Sequence, residues 1–230
     1  MIHVYGVCWR VPEYVQRTVD SLCRNASEDF RLVVVDNKST RSRDIATWAE
    51  RAVERGSVDL FLGLEDNIRG NALRTGYELS PPDDSEDFFI FTDLDLVVPD
   101  GLDWIAETRR MQADPALVAS GFSLSLENYL PPNSGHSPDP HGHAMGVWLM
   151  GLKRAAYERH FSDELPLVDH VLLNTLAAHG RIERSRRELY HLGWDLHRDD
   201  PEYWQLKLAG IPWNTNTRCA VEVRREGQRV

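Results

Sequence analysis

Cysteine is scarce. Cys8, Cys23 and Cys219 are the only three in 230 residues, and neither their odd number nor their spacing suits a disulfide framework or a zinc site. Reduced thiols in a cytoplasm are the expectation. Positive charge is scarce too: 26 Lys and Arg face 36 Asp and Glu, a net charge of -10. Without a cationic excess there are few counterions to release from duplex nucleic acid and little to hold an anionic lipid surface. No apolar run approaches the ~20 residues of a spanning helix. The N-terminal Ile2-His3-Val4-Tyr5-Gly6-Val7 has neither a basic start nor a long apolar region, so no leader is expected. Internal repeats and low-complexity tracts are missing as well. What remains is a soluble chain whose 42% apolar content fills one substantial core, a single domain over residues 1–230. A small phosphate-bearing molecule stays open as a ligand, through a metal.

The apolar pattern alternates between two periods. Residues 2–8 read as a strand, and Pro12-Glu13 opens a helix whose buried face is Val15, Val19 and Leu22. Leu32-Val33-Val34-Val35 is a continuous run of the kind buried on both faces of a parallel sheet. It stops at Asp36-Asn37-Lys38-Ser39-Thr40. Ile45, Trp48, Ala49 and Ala52 give a second helix, and Val58 to Leu62 a third strand. The β-α-β-α-β order predicts an α/β domain with a mostly parallel central sheet flanked by helices.

Asn67 to Tyr77 is expected to hold a short helix, Trp104-Ile105 another, and Ala116 to Leu124 and Val147 to Met150 strands. Asn128 to His143, with four prolines, two glycines and three histidines, is long enough to suspect a lid, though a plain surface loop fits equally. Leu172, Leu173 and Leu176 mark a helix that Gly180 should end with a left-handed cap. Arg181 to Arg187 reads as a basic stretch, and Tyr190 to Trp194 as a loop or short strand. A last helix runs from Asp200-Pro201-Glu202 to Gly210, and a loosely held tail begins at Thr217.

The stretch that organises the chain is Phe88-Phe89-Ile90-Phe91-Thr92-Asp93-Leu94-Asp95-Leu96-Val97-Val98. Two charges that a core would reject sit at its edge. Residues i and i+2 of a strand share a face, so Asp93 and Asp95 can turn toward one ligand beyond a strand's carboxyl end, where ligands of open α/β sheets lie. Paired hard oxygens with no cysteine nearby suit Mg²⁺ or Mn²⁺ carrying substrate phosphates. Two solvated aspartates in a turn are the bland alternative.

These motifs resemble glycosyltransferase family 2 enzymes of the GT-A fold, a Rossmann-like architecture. The resemblance rests on Val33-Val34-Val35-Asp36-Asn37-Lys38-Ser39-Thr40, Glu65-Asp66-Asn67 with Gly70, the aspartate pair, Val168-Asp169-His170-Val171-Leu172, and His191-Leu192-Gly193, in that order. It implies a nucleotide-sugar-binding half over residues 1–110, an acceptor or catalytic half over 111–216, and a tail over 217–230. It further implies a metal-dependent inverting transfer from a nucleotide-diphosphate sugar, UDP-linked by preference, to a hydroxyl acceptor. Asp36 would accept from a base N3-H. Asn67, Arg74 and Asp93 would hold the nucleotide sugar, Asp95, Asp93 and His191 the Mn²⁺ or Mg²⁺, and Asp169 would be the general base.

Plainer readings accompany each. Asp36 also suits a turn after a strand, Arg74 a solvated helix position, and Asp169 a helix cap. His191 could be structural, with His197 as its substitute. Val168 stands where the family often has an acidic residue. Arg184, Arg186 and Arg187 suit a solvated basic face better than a diphosphate site, and Trp148, Trp194 and Trp204 suit packing better than sugar stacking. Two other functions compete: a sugar nucleotidyltransferase, which would want a glycine-rich loop where Cys8-Trp9-Arg10-Val11-Pro12 stands, and a degenerate, non-catalytic nucleotide-sugar-binding domain. The oligomeric state is open.

Overall fold

The computed structural model describes residues 1–39, 41–65, 72–125, 148–160, 174–209 and 219–224. Four parallel strands form its first part: β1 (Ile2–Cys8), β2 (Phe30–Asp36), β3 (Leu60–Leu64) and β4 (Phe88–Asp93). Helices α1 (Pro12–Arg24), α2 (Ser42–Glu54) and α3 (Ala72–Leu79) lie between them in sequence. A two-residue strand β5 (Leu96–Val97) follows, then α4 (Trp104–Gln112), β6 (Leu117–Leu124), β7 (Met150–Lys153) and α5 (Arg154–His160). Next come β8 (Arg181–His191), a 3-10 turn over Leu192–Asp195, α6 (Leu196–Asp199), α7 (Pro201–Ala209) and β9 (Cys219–Arg224).

One nine-stranded sheet results, ordered β5-β8-β6-β7-β4-β1-β2-β3-β9. β7 and β9 run antiparallel to their neighbours, and β5 pairs antiparallel with β8, while β6 and β8 are parallel. The mostly parallel α/β sheet that the sequence predicts is therefore present. Its core lies on both faces, as the β-branched runs require. On one face Val4, Leu32, Val34 and Ile90 pack with Val15, Val19, Leu22, Ile45 and Trp104 from the helices. On the other, Tyr5, Val33, Val35, Phe89 and Phe91 pack with Leu73, Tyr77 and Tyr157. Each fully buried side chain of this size contributes about 1.5–3 kcal/mol. Gly76 lets α3 settle onto β2, since a Cβ there would lie 3.0 Å from Val35 Cγ2.

Several expectations need correction. Arg181 to Arg187, read as a basic stretch, begins the 11-residue strand β8. Its outer side is paired with β5 only at Tyr190 and His191, and only three of its eleven residues are buried, so no apolar alternation marks it. The stretch from residue 217, read as a tail, contains β9, hydrogen-bonded along β3. Gly180 has no left-handed backbone; a Cβ there would lie 2.3 Å from Val118 Cγ1, so close packing explains the glycine. The third strand runs two residues later than expected, and the strand expected at Val147 to Met150 is Met150–Lys153. Residues 66–71, 126–147 and 161–173 lie outside the described residues, and with them Asn67, the suspected lid, Val168 and Asp169.

Candidate active site

Three strands of the parallel half end side by side. Cys8 of β1 is in register with Asp36 of β2, and Val7 with Asp93 of β4. β1 thus separates two carboxylate-bearing strand ends. With strands ~4.8 Å apart, their backbones stand about 10 Å apart, roughly the span from a nucleoside base to its diphosphate. The chain leaving each strand is tied back to β1: Asn37 N donates to Cys8 O at 3.0 Å, and Leu94 N to Val7 O at 2.8 Å.

Leu94 turns inward and is buried. It occupies the space above Gly6, where a Cβ would come within 2.6 Å of Leu94 Cδ2. Asp93 and Asp95 are each only partly buried. Burial alternates across the three residues, although β4 ends at Asp93 and Leu94 and Asp95 lie in the bend that follows.

Asp95 is positioned by its neighbours. It precedes β5, a strand of two residues, too short to hold itself. Helix α1 supplies the missing partners: Thr18 Oγ1 accepts from Leu96 N and Ser21 Oγ from Val98 N, both at 3.1 Å. On the other side Leu96 pairs with His191, and Asp95 O accepts from Leu192 N. His191 is 6% exposed, and its Nε2 lies 3.2 Å from Asp95 Oδ2. The Trp148 ring stands 5.7 Å from the imidazole. Gly193 makes the contact possible, because a Cβ there would sit 2.7 Å from His191 Cε1 and 2.8 Å from Asp95 Oδ2. Two residues 96 apart in sequence are joined across the boundary between the two halves read from the sequence.

Asp36 is 1% exposed, and its Oδ1 accepts from Ser39 N at 3.1 Å. It thus does at least the turn-forming work that its position allows. Burial first, then the Asp36 charge, pushes the Cys8 thiol well above its ordinary range, so Cys8 is an inert core residue. Arg74 on α3 is 7% exposed, which excludes the solvated reading; a guanidinium that deep needs an anionic or hydrogen-bonding environment.

Sequence reasoning missed the wall of the site. Tyr203 on α7 is buried, its ring 4.6 Å from that of Trp9 in an edge-on arrangement. Burial and then the charges of Asp95, Asp93 and Asp200 push its phenol well above the ordinary range, so it lies within electrostatic reach of the aspartate pair. Trp9 Nε1 donates to Lys38 O at 3.1 Å, in the turn that follows Asp36. Gly193 carried a signal, as part of His191-Leu192-Gly193. Nothing in the sequence marked Tyr203.

Among the described residues no three His, Cys, Asp or Glu side chains are grouped as a complete metal-binding set. Asp95 and His191 are an oxygen and an imidazole donor in contact, a mixture suited to Mn²⁺. Two protein donors are also what a Mg²⁺-type site commonly uses when substrate phosphates fill other positions. The residues present fit such a cation. His197 lies against Trp204 instead, 6.2 Å between ring centres.

The family model described as glycosyl transferase family 2 matches residues 4–139, more than half of the chain. No curated protein matches the sequence significantly. Among solved structures, a mannosyltransferase from Pyrobaculum calidifontis in complex with GDP-Man and Mn²⁺ superposes with a TM-score of 0.64 at 16% identity, over 90% of this chain and 60% of that one. The S. aureus protein TarS, residues 1–349, gives 0.59 at 16% identity, over 90% and 64%. Glucosyl-3-phosphoglycerate synthase from Mycobacterium tuberculosis, in complex with phosphoglyceric acid, gives 0.56 at 16% identity, over 98% and 89%. The chain thus spans less than two thirds of the first two structures it resembles.

Proposed function

The chain belongs to glycosyl transferase family 2 and has the GT-A fold, and from that premise we propose that it transfers a sugar from a nucleoside diphosphate donor to a hydroxyl acceptor with inversion, using a divalent cation. The observation that carries this reading is the Asp95–His191 pair, seated under Gly193, with Asp95 just beyond the end of β4, the strand next to β1, and His191 at the end of β8. Solved relatives named for GDP-Man with Mn²⁺ and for UDP-glucose with Mn²⁺ support the donor class; UDP is the favoured nucleotide.

On this reading Asp36 and Arg74 hold the nucleoside end, with Asn67 and Asp93 beside it. Asp95 and His191 would hold the Mn²⁺ or Mg²⁺. That cation, when bound, supplies Lewis-acid neutralisation of the charge that grows on the departing diphosphate. Asp169 takes the proton of the acceptor hydroxyl while its oxygen attacks the anomeric carbon from the side opposite the diphosphate. The carbon–oxygen bond to the donor breaks as the new one forms. Holding donor and acceptor in line removes much of the entropic barrier. The wall of buried Tyr203 and the partly buried Trp9 and Trp148 limits the water that can compete.

Among the described residues no helix is long and apolar enough to cross a membrane; a cytoplasmic site of action is part of the proposal. The deciding experiment is a thermal-shift panel of nucleotides and nucleotide sugars with and without Mn²⁺. A bound ligand at a hundred times its dissociation constant stabilises by ~2.7 kcal/mol. Asp95→Ala is expected to abolish the Mn²⁺-dependent shift. Asp169→Asn should keep the shift and lose transfer, and full transfer by that variant would remove Asp169 from the mechanism. No response to any nucleotide would sink the reading as a whole.

A further inference from the structure

The end of the chain that walls the site is clasped to its beginning. Val11 and Tyr14, at the start of α1, form a third apolar cluster with Leu192, Leu196 and Tyr203, separate from the two that flank the sheet. Charge is added at its rim. Arg10, 9% exposed, donates from Nε to Asp200 Oδ2 at 2.9 Å, and its guanidinium also pairs with Glu202. Tyr14 OH donates to Asp199 Oδ2 at 2.9 Å. Asp200 has a second task, because its Oδ1 accepts from Tyr203 N at 3.0 Å and so closes the first turn of α7.

Arg10 also adopts a backbone φ of 73°, a left-handed conformation that is unfavourable for a non-glycine residue. The backbone turns tightly around it, Val11 N donating to Trp9 O at 3.1 Å. The turn delivers the side chain to a buried position, where its partners are Asp200 and Glu202 at the head of α7.

We propose that Arg10 is a positioning residue for nucleotide binding: by holding Asp200 at the head of α7 it keeps Tyr203 against Trp9 and beside the Asp93/Asp95 pair. Trp9 is itself bonded to the turn after Asp36, so the clasp ties the nucleoside end of the cleft to the Asp95–His191 end. The proposal rests on the nucleotide-sugar reading above. The alternative role for Arg10 is a local one, holding α7 to the body without consequence for the aspartates.

Two measurements on the full chain separate these. In hydrogen exchange, Arg10→Met and Asp200→Asn should each speed exchange in α7 and also at Leu94 and Leu96, while β2 and β3 stay protected. In calorimetry with UDP or GDP plus Mn²⁺, both variants should lose about tenfold in affinity, and the double variant should lose little more than either single one, since the two residues act as a unit. Arg10→Lys should recover part of the loss. Asp200→Asn keeps an oxygen to accept from Tyr203 N, so it guards against a variant that merely unravels α7. Faster exchange confined to α7 with unchanged affinity would overturn the proposal. If the wild-type chain binds neither nucleotide yet the exchange at Leu94 and Leu96 responds, the nucleotide-sugar reading fails while the mechanical link from Arg10 to the aspartates stands.

Discussion

Gly193 shows how one residue without a side chain decides whether two others can cooperate. Its backbone lies outside the left-handed region, so alanine is conformationally allowed, and only space forbids it. In Gly193→Ala the new methyl must push either the imidazole of His191 or the carboxylate of Asp95 aside. The expected cost in stability is about 1–3 kcal/mol, read by urea unfolding. Mn²⁺-dependent nucleotide affinity should fall by at least about tenfold, because the donors are parted while both remain present. Unchanged affinity would mean that the 3.2 Å approach of His191 to Asp95 is incidental. At this scale the sequence was informative where a motif names its own partners. Asp93-Leu94-Asp95 and His191-Leu192-Gly193 announce polar residues at strand ends, and the fold brings both to one place. The Arg10–Asp200 contact spans 190 positions and carries no such mark, since an arginine near a proline and an aspartate before one are ordinary surface residues until folding buries them.

Helix α4 and strand β8 are joined through carboxylates on both: Glu183 of β8 lies 3.6 Å from Arg110 of α4, and Glu107 of α4 meets Ser185 of β8. Glu107 takes hydrogen bonds from Arg110 and from Ser185 Oγ, and Asp103 caps the helix by accepting from Ala106 N at 3.0 Å. The Arg110 hydrogen bond is the largest influence on Glu107; burial opposes it, Ser185 adds to it, and the carboxyl is drawn from 4.5 down to about 2. A depressed folded-state pKa gives stability that is present above about 4.5 and is lost as the pH falls toward about 2. After discounting for solvent screening the effect is on the order of 2 kcal/mol. Glu107→Gln should therefore cost most near neutral pH, and the gap from the wild type should close between about pH 5 and pH 2 in acid-titrated thermal melts. A constant gap would assign the loss to packing. β8 itself shows why an edge element escapes sequence reading. Ser185, Leu189 and His191 are its buried side chains, too few and too unevenly spaced to outweigh the run of arginines. The central strands were legible because burial on both faces leaves a continuous apolar signature; the edges were not, because one side of each answers to solvent.

Taken as a whole, the molecule assembles its site from parts that do not arrive together. The Asp36 and Asp93/Asp95 strand ends come from the first hundred residues, and His191 and the α7 wall from the last forty. Residues from both halves read from the sequence thus meet at the candidate site, where Asp95 faces His191.

The far edge of the sheet carries a different consequence, one of timing. β3 lies against β2 on one side and waits for β9 on the other, so during synthesis the amides and carbonyls of Leu60 to Leu64 that point away from β2 stay unmet until β9 has left the ribosome. An apolar strand with an open edge is a template for intermolecular pairing. A chain ending at residue 217 should keep the first four strands and lose that cover. It is expected to form light-scattering aggregates at micromolar concentration under conditions where the full chain stays monodisperse, and monodisperse behaviour would show that β3 protects itself. β9 would then serve as the cover that keeps the open edge of β3 from pairing with another chain.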